Sequence, residues 1–224
     1  MKKLLAIVLT AAMLLAMLCA CAAKTDTATN NPANAKATVG ILMPTKEQTI
    51  WSIQGDRLTE AFQKAGYATQ IEYAEDDSAK QAMQIENMIT KGVNVMVIAA
   101  VDCAALTDAC EKAKDAGIYV IADDRLITNT KAVDFYVTFD LVRMGELQGQ
   151  YIVDKLDLEN QAGPFTLEIF SGSQDDTNAI SFYEGAMNKL QPYLDSGKLV
   201  VKSGQSSYTE TAIQSWDSSK AQSR

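Results

Sequence analysis

The chain predicts a doubly wound α/β fold, a parallel sheet covered by helices on both faces, followed by an incomplete second α/β lobe. Two observations carry this reading. Short, near-continuous apolar runs rich in β-branched residues alternate with longer stretches of helical period, and several of those stretches close on a glycine. Strands apolar on both faces and separated by amphipathic helices imply a parallel sheet with right-handed crossovers.

The elements follow in order. Thr38 to Met43 (TVGILM) reads as a buried strand. Trp51 to Ala65 reads as a helix with Leu58, Ala61, Phe62 and Ala65 on one face and Gly66 as its stop. Thr69 to Tyr73 is a second strand, and Ser78 to Lys91 a helix with Ala82, Ile85, Met88 and Ile89 on one face before Gly92. Val93 to Ala99 is a strongly β-branched strand. Leu106, Ala109, Cys110 and Ala113 mark a third helix, ended by Gly117. Ile118 to Ala122 and Phe135 to Phe139 are the fourth and fifth strands.

The second α/β stretch starts with a helix from Val142 to Leu156 and a turn from Asn160 to Pro164. Phe165 to Phe170 is a strand, Asn178 to Leu190 a helix followed by Pro192, and Lys198 to Lys202 a strand. One last helix runs from Thr209 onward. Two strands do not make a stable sheet by themselves. The expected division is therefore 1–21 signal, 22–37 linker, 38–139 first lobe and 140–224 partial second lobe.

The first 21 residues address the chain for export. Lys2 and Lys3 precede a 15-residue apolar stretch, Leu4 to Leu18, too short for a comfortable membrane span. Leu18-Cys19-Ala20-Cys21 resembles the lipobox of bacterial lipoproteins, which implies acylation of Cys21 and anchoring at the outer face of the cell membrane. An ordinary secretory signal is the alternative, and either predicts an exported protein. Lys24 to Ala37 holds no apolar residue larger than Ala and reads as a flexible tether.

Composition excludes several chemistries. With Lys2 and Lys3 set aside, 18 basic residues stand against 28 acidic ones, a balance that argues against nucleic acid and anionic membrane surfaces as partners. Histidine is absent, which removes His-dependent triads and HExxH zinc sites. Beyond the signal only Cys103 and Cys110 remain. Seven residues apart on one helix, they are too distant for a disulfide and read as small core residues.

In open parallel sheets ligands bind beyond the carboxyl ends of the strands. Those ends carry Pro44-Thr45-Lys46, Glu75-Asp76-Asp77, Asp102, Asp123-Asp124-Arg125 and Asp140. Asp77 and Asp102 suit helix N-caps. Three charges at 123–125 beside a buried strand need a partner or an opening to water. An acidic edge can hold Mg²⁺ for phosphoryl chemistry. Carboxylates and an Arg can instead bind vicinal sugar hydroxyls through paired hydrogen bonds, with Trp51 offering a ring to a sugar's C–H face. Export, the absence of His and the Arg within the acid cluster favour a binding protein over an enzyme. No Gly-rich phosphate loop is present.

The segments QIENMITKGVNVMVIAAVD (84–102), IADDRLI (121–127), FYVTFDLVRMGELQ (135–148), GPFTLEIFSGSQDDTNA (163–179) and LQPYLDSGKLVVKSGQ (190–205) carry a resemblance to periplasmic sugar-binding proteins. The chain is similar to the type I, ribose-binding-like superfamily, and most to its xylose-binding and multiple-sugar-binding branch. The resemblance implies two α/β lobes joined by three hinge strands, a monosaccharide trapped between them, delivery to an ABC permease and, in some members, signalling to a membrane sensor. No cofactor is implied.

The resemblance marks Trp51 as a stacking ring, with Asp102 and the Asp124-Arg125 pair as first-lobe hydroxyl ligands. It marks Asn178 and Phe182 as second-lobe contacts and Trp216 as the second stacking ring. Ile50 stands where relatives often carry Arg, and Thr177 where they tend to carry Asn; Lys46 is a candidate substitute for the missing Arg. Members also carry a complete second lobe and two return hinge strands, so the resemblance implies a truncated chain whose sugar binding is weak or absent. Micromolar binding by the 224-residue chain would sink that expectation. A non-binding interaction lipoprotein and a Mg²⁺-dependent phosphotransferase are the competing readings; the effector domain of sugar-responsive repressors shares the fold but not the export segment.

Overall fold

The computed structural model describes residues 35–224. The signal segment, Cys21 and residues 22–34 of the expected linker lie outside the described residues. The linker's last residues already belong to the fold: the Lys36 amide donates to Gly66 O, and Ala37 O accepts from the Ala68 amide, each at 3.0 Å.

The first lobe runs β1 (Thr38–Met43), α1 (Thr49–Lys64), β2 (Ala68–Tyr73), α2 (Ser78–Thr90), β3 (Val95–Ile98), α3 (Thr107–Asp115), β4 (Tyr119–Asp123) and β5 (Val133–Val137). The five strands form one sheet in the order β2-β1-β3-β4-β5, parallel throughout. Every strand therefore points its carboxyl end to the same edge. The order reverses between β1 and β3, which opens a crevice there.

Two apolar layers hold the sheet. Leu42, Ile85, Met88, Met96, Ile98, Leu106 and Cys110 pack on one face, and Val39, Ile41, Met43, Trp51, Val97 and Ala99 on the other. Each fully buried Ile, Leu or Met contributes about 1.5–3 kcal/mol relative to exposure.

The second lobe runs α4 (Leu141–Lys155), β6 (Phe165–Leu167), α5 (Thr177–Asp195), β7 (Leu199–Val201), α6 (Tyr208–Thr211), a 3₁₀ turn (Gln214–Trp216) and α7 (Ser218–Ser223). β6 and β7 pair in parallel. Val153, Leu158, Leu190 and Leu199 form its core. No helix among the described residues is long and apolar enough to cross a membrane.

Five local expectations are corrected. The fifth strand is Val133–Val137 rather than 135–139, because the Asp134 carboxylate accepts the Val120 amide at 2.9 Å and draws the pairing upstream. Phe139 is consequently exposed. The strand expected over 165–170 ends at Leu167. α5 continues past Pro192 to Asp195, losing one main-chain bond near its end.

The single last helix breaks into three pieces. The Ser171 amide donates to Thr211 O, and the Ile213 amide to Ser171 O, which draws 212–213 into an extended bridge. Finally, Asp102 does not cap α3, and Cys103 is not on it. The Asp102 carboxylate caps the preceding turn, accepting from the Ala104 and Ala105 amides at 2.7 and 3.0 Å.

Candidate functional site

The site lies where the carboxyl edge of the first sheet meets the amino end of α5 and the 3₁₀ turn. Arg125, just past β4, is placed by its own backbone carbonyl partners. Nη1 donates to Ala100 O at 2.9 Å and to Val101 O at 3.2 Å, both just past β3. Its guanidinium carbon sits 5.1 Å over the Trp51 ring. Its Nε lies 2.9 Å from Asp176 Oδ2. That contact is an ion pair rather than an aligned hydrogen bond, since the Nε–H is not directed along it.

Asp176 does three things at once. As the N-cap of α5 its Oδ1 accepts the Asn178 amide at 2.9 Å, which places a carboxylate at the positive end of the helix. Its Oδ2 faces Arg125 and also accepts from Trp216 Nε1 at 3.0 Å. The Trp216 ring sits close against Gly172, where an added Cβ would fall 2.0 Å from it.

Asp124 occupies a left-handed backbone position (φ 64°). Asn178 Nδ2 reaches its carbonyl at 3.1 Å and its carboxylate at 3.3 Å. Burial pushes the Asp124 carboxyl above the usual range; the nearby Asp176 adds to this and Arg125 opposes it. Burial also raises Asp123, against a hydrogen bond from Gln54 Nε2 at 2.5 Å. Asp76 is raised by burial against Arg125, with Glu47, Asp175 and Glu75 adding.

A cavity of about 110 Å³ opens among these groups, lined by Asp76, Asp102, Arg125, Ser173, Ser215 and Trp216, among others. Of the residues singled out from sequence, Asp102, Arg125 and Trp216 line it directly. Asp124 and Asn178 do not line it: they bond to each other, and Asp124 lines a separate cavity of about 550 Å³ with Gln54, Asp123 and Phe139. Trp51 is 5% exposed and packs in the first lobe's core beneath Arg125, because its ring completes the apolar layer with Val39 and Met43. Phe182 is not brought to this cavity; it lines a separate one of about 350 Å³ in the second lobe, to which Trp216 also contributes.

Sequence reasoning missed Asp176, Asp175, Ser173 and Gln48. Asp176 had a readable signal, an N-cap residue opening an apolar-periodic helix. The others had none.

Buried polar atoms are almost always partnered in folded proteins. Among the described residues, those without a hydrogen-bond partner include Trp51 Nε1, Arg125 Nε and Asn178 Oδ1. All three belong to this cluster. Among the described residues no three His, Cys, Asp or Glu side chains are grouped to hold a metal ion. The arrangement offers hydroxyl-binding donors and acceptors from two lobes and one open indole ring.

A family model described as "periplasmic binding protein domain" matches residues 39–224. The multiple sugar-binding periplasmic receptor ChvE of Rhizobium radiobacter is 52% identical over 189 residues, which cover 84% of this chain and 53% of ChvE. The D-xylose-binding periplasmic protein of Escherichia coli (strain K12) is 35% identical over 174 residues, 77% of this chain and 51% of that protein. An ABC transporter solute-binding protein from Clostridium phytofermentans, solved with bound β-D-glucose, superposes with a TM-score of 0.82 at 45% identity, covering 84% of this chain and 58% of that one. A carbohydrate transporter solute-binding protein from Chloroflexus aurantiacus, solved with D-glucose, gives a TM-score of 0.73 at 35% identity, covering 83% and 58%. The chain thus spans about half the length of the curated relatives it matches.

Proposed function

The chain belongs to the periplasmic binding protein domain family, and from that premise we propose that it captures a monosaccharide for an exported ABC-transporter receptor. The sugar lies in the cleft between the lobes. Asp102 and Asp124 accept its hydroxyls, Arg125 and Asn178 meet them from either side, and Trp216 covers its C–H face. Trp51 supports Arg125 from beneath. Phe182 braces the far side of Trp216 rather than touching sugar.

The observation that carries this reading is the meeting of Asp102, Arg125, Ser173 and Trp216 around one cavity of about 110 Å³, with Asn178 Oδ1 buried and unpartnered near it. A neutral ligand with several vicinal hydroxyls satisfies such groups without adding charge.

Acylation at Cys21, a tether over 22–37, delivery to a permease and contact with a membrane sensor complete the proposal. A lipid anchor suits a capture domain that must stay near its permease yet move freely.

Saturation-transfer NMR on the 224-residue chain, against D-glucose, D-xylose, D-galactose and L-arabinose, tests the sugar site because it detects weak binding. At least one sugar should show saturation that is lost in Trp216→Ala. A folded chain that transfers saturation to none of them overturns the proposal.

A further inference from the structure

Gln48 occupies the N-cap position of α1 without capping it: its side chain makes no bond to its own helix. Ser, Thr, Asp and Asn are the residues that serve that position. The Gln48 side chain instead crosses to the second lobe, where Nε2 donates to Ser215 O at 3.1 Å, 167 residues away in the chain.

The receiving segment is strained. Ser215 and Trp216 both hold left-handed backbone, φ 58° and 53°. Such a conformation is uncommon for any residue but Gly, and for a bulky one it persists only where surroundings impose it. Two second-lobe bonds help: the Ser215 amide donates to Ser173 Oγ at 2.9 Å, and Gln214 Nε2 donates to Asp175 Oδ2 at 3.1 Å. Gln48 supplies a hold from the first lobe. Gln48, Gln214, Ser215 and Trp216 all line the 110 Å³ cavity.

We infer that Gln48 is a positioning residue: it clasps the strained Gln214–Trp216 turn across the cleft and so sets the Trp216 ring over the ligand cavity. The clasp joins the lobes at the cavity's rim and holds the ligand-facing turn in place. Its effect on ligand capture rests on the sugar reading above; its effect on Trp216 does not.

The chain has two tryptophans, so 5-fluorotryptophan labelling gives two ¹⁹F resonances, assigned with Trp51→Phe. In Gln48→Ala and in the isosteric Gln48→Glu, which loses the donor, the Trp216 resonance should shift or broaden without sugar while Trp51 moves less. Thr49→Ala, one residue on, controls for loosening of the helix start and should leave Trp216 in place. D-glucose binding by Gln48→Ala should weaken roughly three- to tenfold, the worth of one hydrogen bond.

A Trp216 resonance unmoved in both Gln48 variants, or moved equally by Thr49→Ala, overturns the clasp. Unchanged glucose affinity in Gln48→Ala overturns its part in capture. If the parent binds no sugar while Gln48→Ala still displaces Trp216, the clasp stands and the sugar reading falls.

Discussion

Arg125 Nε and Asp176 Oδ2 lie 2.9 Å apart, with side chains 7% and 3% exposed, and they belong to different lobes. A buried pair of this kind adds little over a well-packed apolar pair, but losing one member strands a charge. Asp176→Ala and Arg125→Met should each destabilise the chain by about 3–5 kcal/mol in urea titration. The double substitution should cost less than the two together, and additive losses would mean the pair is not coupled.

Gly145 and Gly185 let α4 and α5 touch backbone to backbone. A Cβ at Gly145 would fall 2.2 Å from Phe182 O, and one at Gly185 would fall 2.1 Å from Val142 O. Neither neighbour is a side chain that can swing away. Gly145→Ala or Gly185→Ala should cost about 1–3 kcal/mol in thermal or urea unfolding. No loss in either would mean the helices separate freely.

Gly172→Ala acts on the site itself. Its methyl would invade the Trp216 ring, 2.0 Å away, so the ring must leave its seat. Trp216 is more than a third exposed, so the fold should survive. The expected outcome is loss of the Trp216 Nε1 bond to Asp176 and of sugar binding, read by indole N–H exchange and saturation transfer.

Asp124→Asn should stabilise the fold and abolish capture. Asn tolerates the left-handed backbone at this position well, and it removes a carboxylate whose pKa is raised chiefly by burial. For an acid whose folded pKa exceeds its unfolded one, the native state binds more protons between the two values. The penalty is absent below about 3.8, grows as pH rises from there, and is full only above the raised folded pKa. The stability advantage of Asp124→Asn should therefore be largest at pH 7 and shrink as pH falls toward 4. An advantage independent of pH would assign it to the backbone alone.

Cys103 and Cys110 are buried and free. Burial pushes the Cys110 thiol up to about 12, and burial also raises Cys103 despite its contacts with Thr177. Neither should react with a thiol reagent at pH 8 in the native state, and both should in urea, as read by mass-spectrometric mapping. Native labelling of Cys103 would show that the contact between the lobes at Asp175 and Thr177 opens.

Local pattern carried much of the fold. The period of Ala82, Ile85, Met88 and Ile89 predicts α2, and the β-branched run at 93–99 predicts β3, because burial of a repeating face is written along one short stretch. Glycine stops at 66, 92 and 117 bounded helices for the same local reason. The last helix failed this test: no residue in 209–224 announces that 212–213 will bridge to Ser171.

The site divides along the same line. Arg125 drew notice from sequence because a charge cluster beside an apolar strand is a local contradiction. Asp176, Gln48 and Ser173 did not, since an N-cap acid and polar loop residues satisfy every local rule. Sequence by itself determined a parallel α/β lobe and a strand edge rich in carboxylates, and it predicts an export segment. Only the tertiary structure decided that Asp176 meets Arg125, that Trp51 is core while Trp216 is open, and that Gln48 reaches Ser215. Hydrophobic periodicity is a short-range signal, whereas a polar contact between loops 50 to 170 residues apart exists only once the sheet edge and the α5 amino end have been brought together.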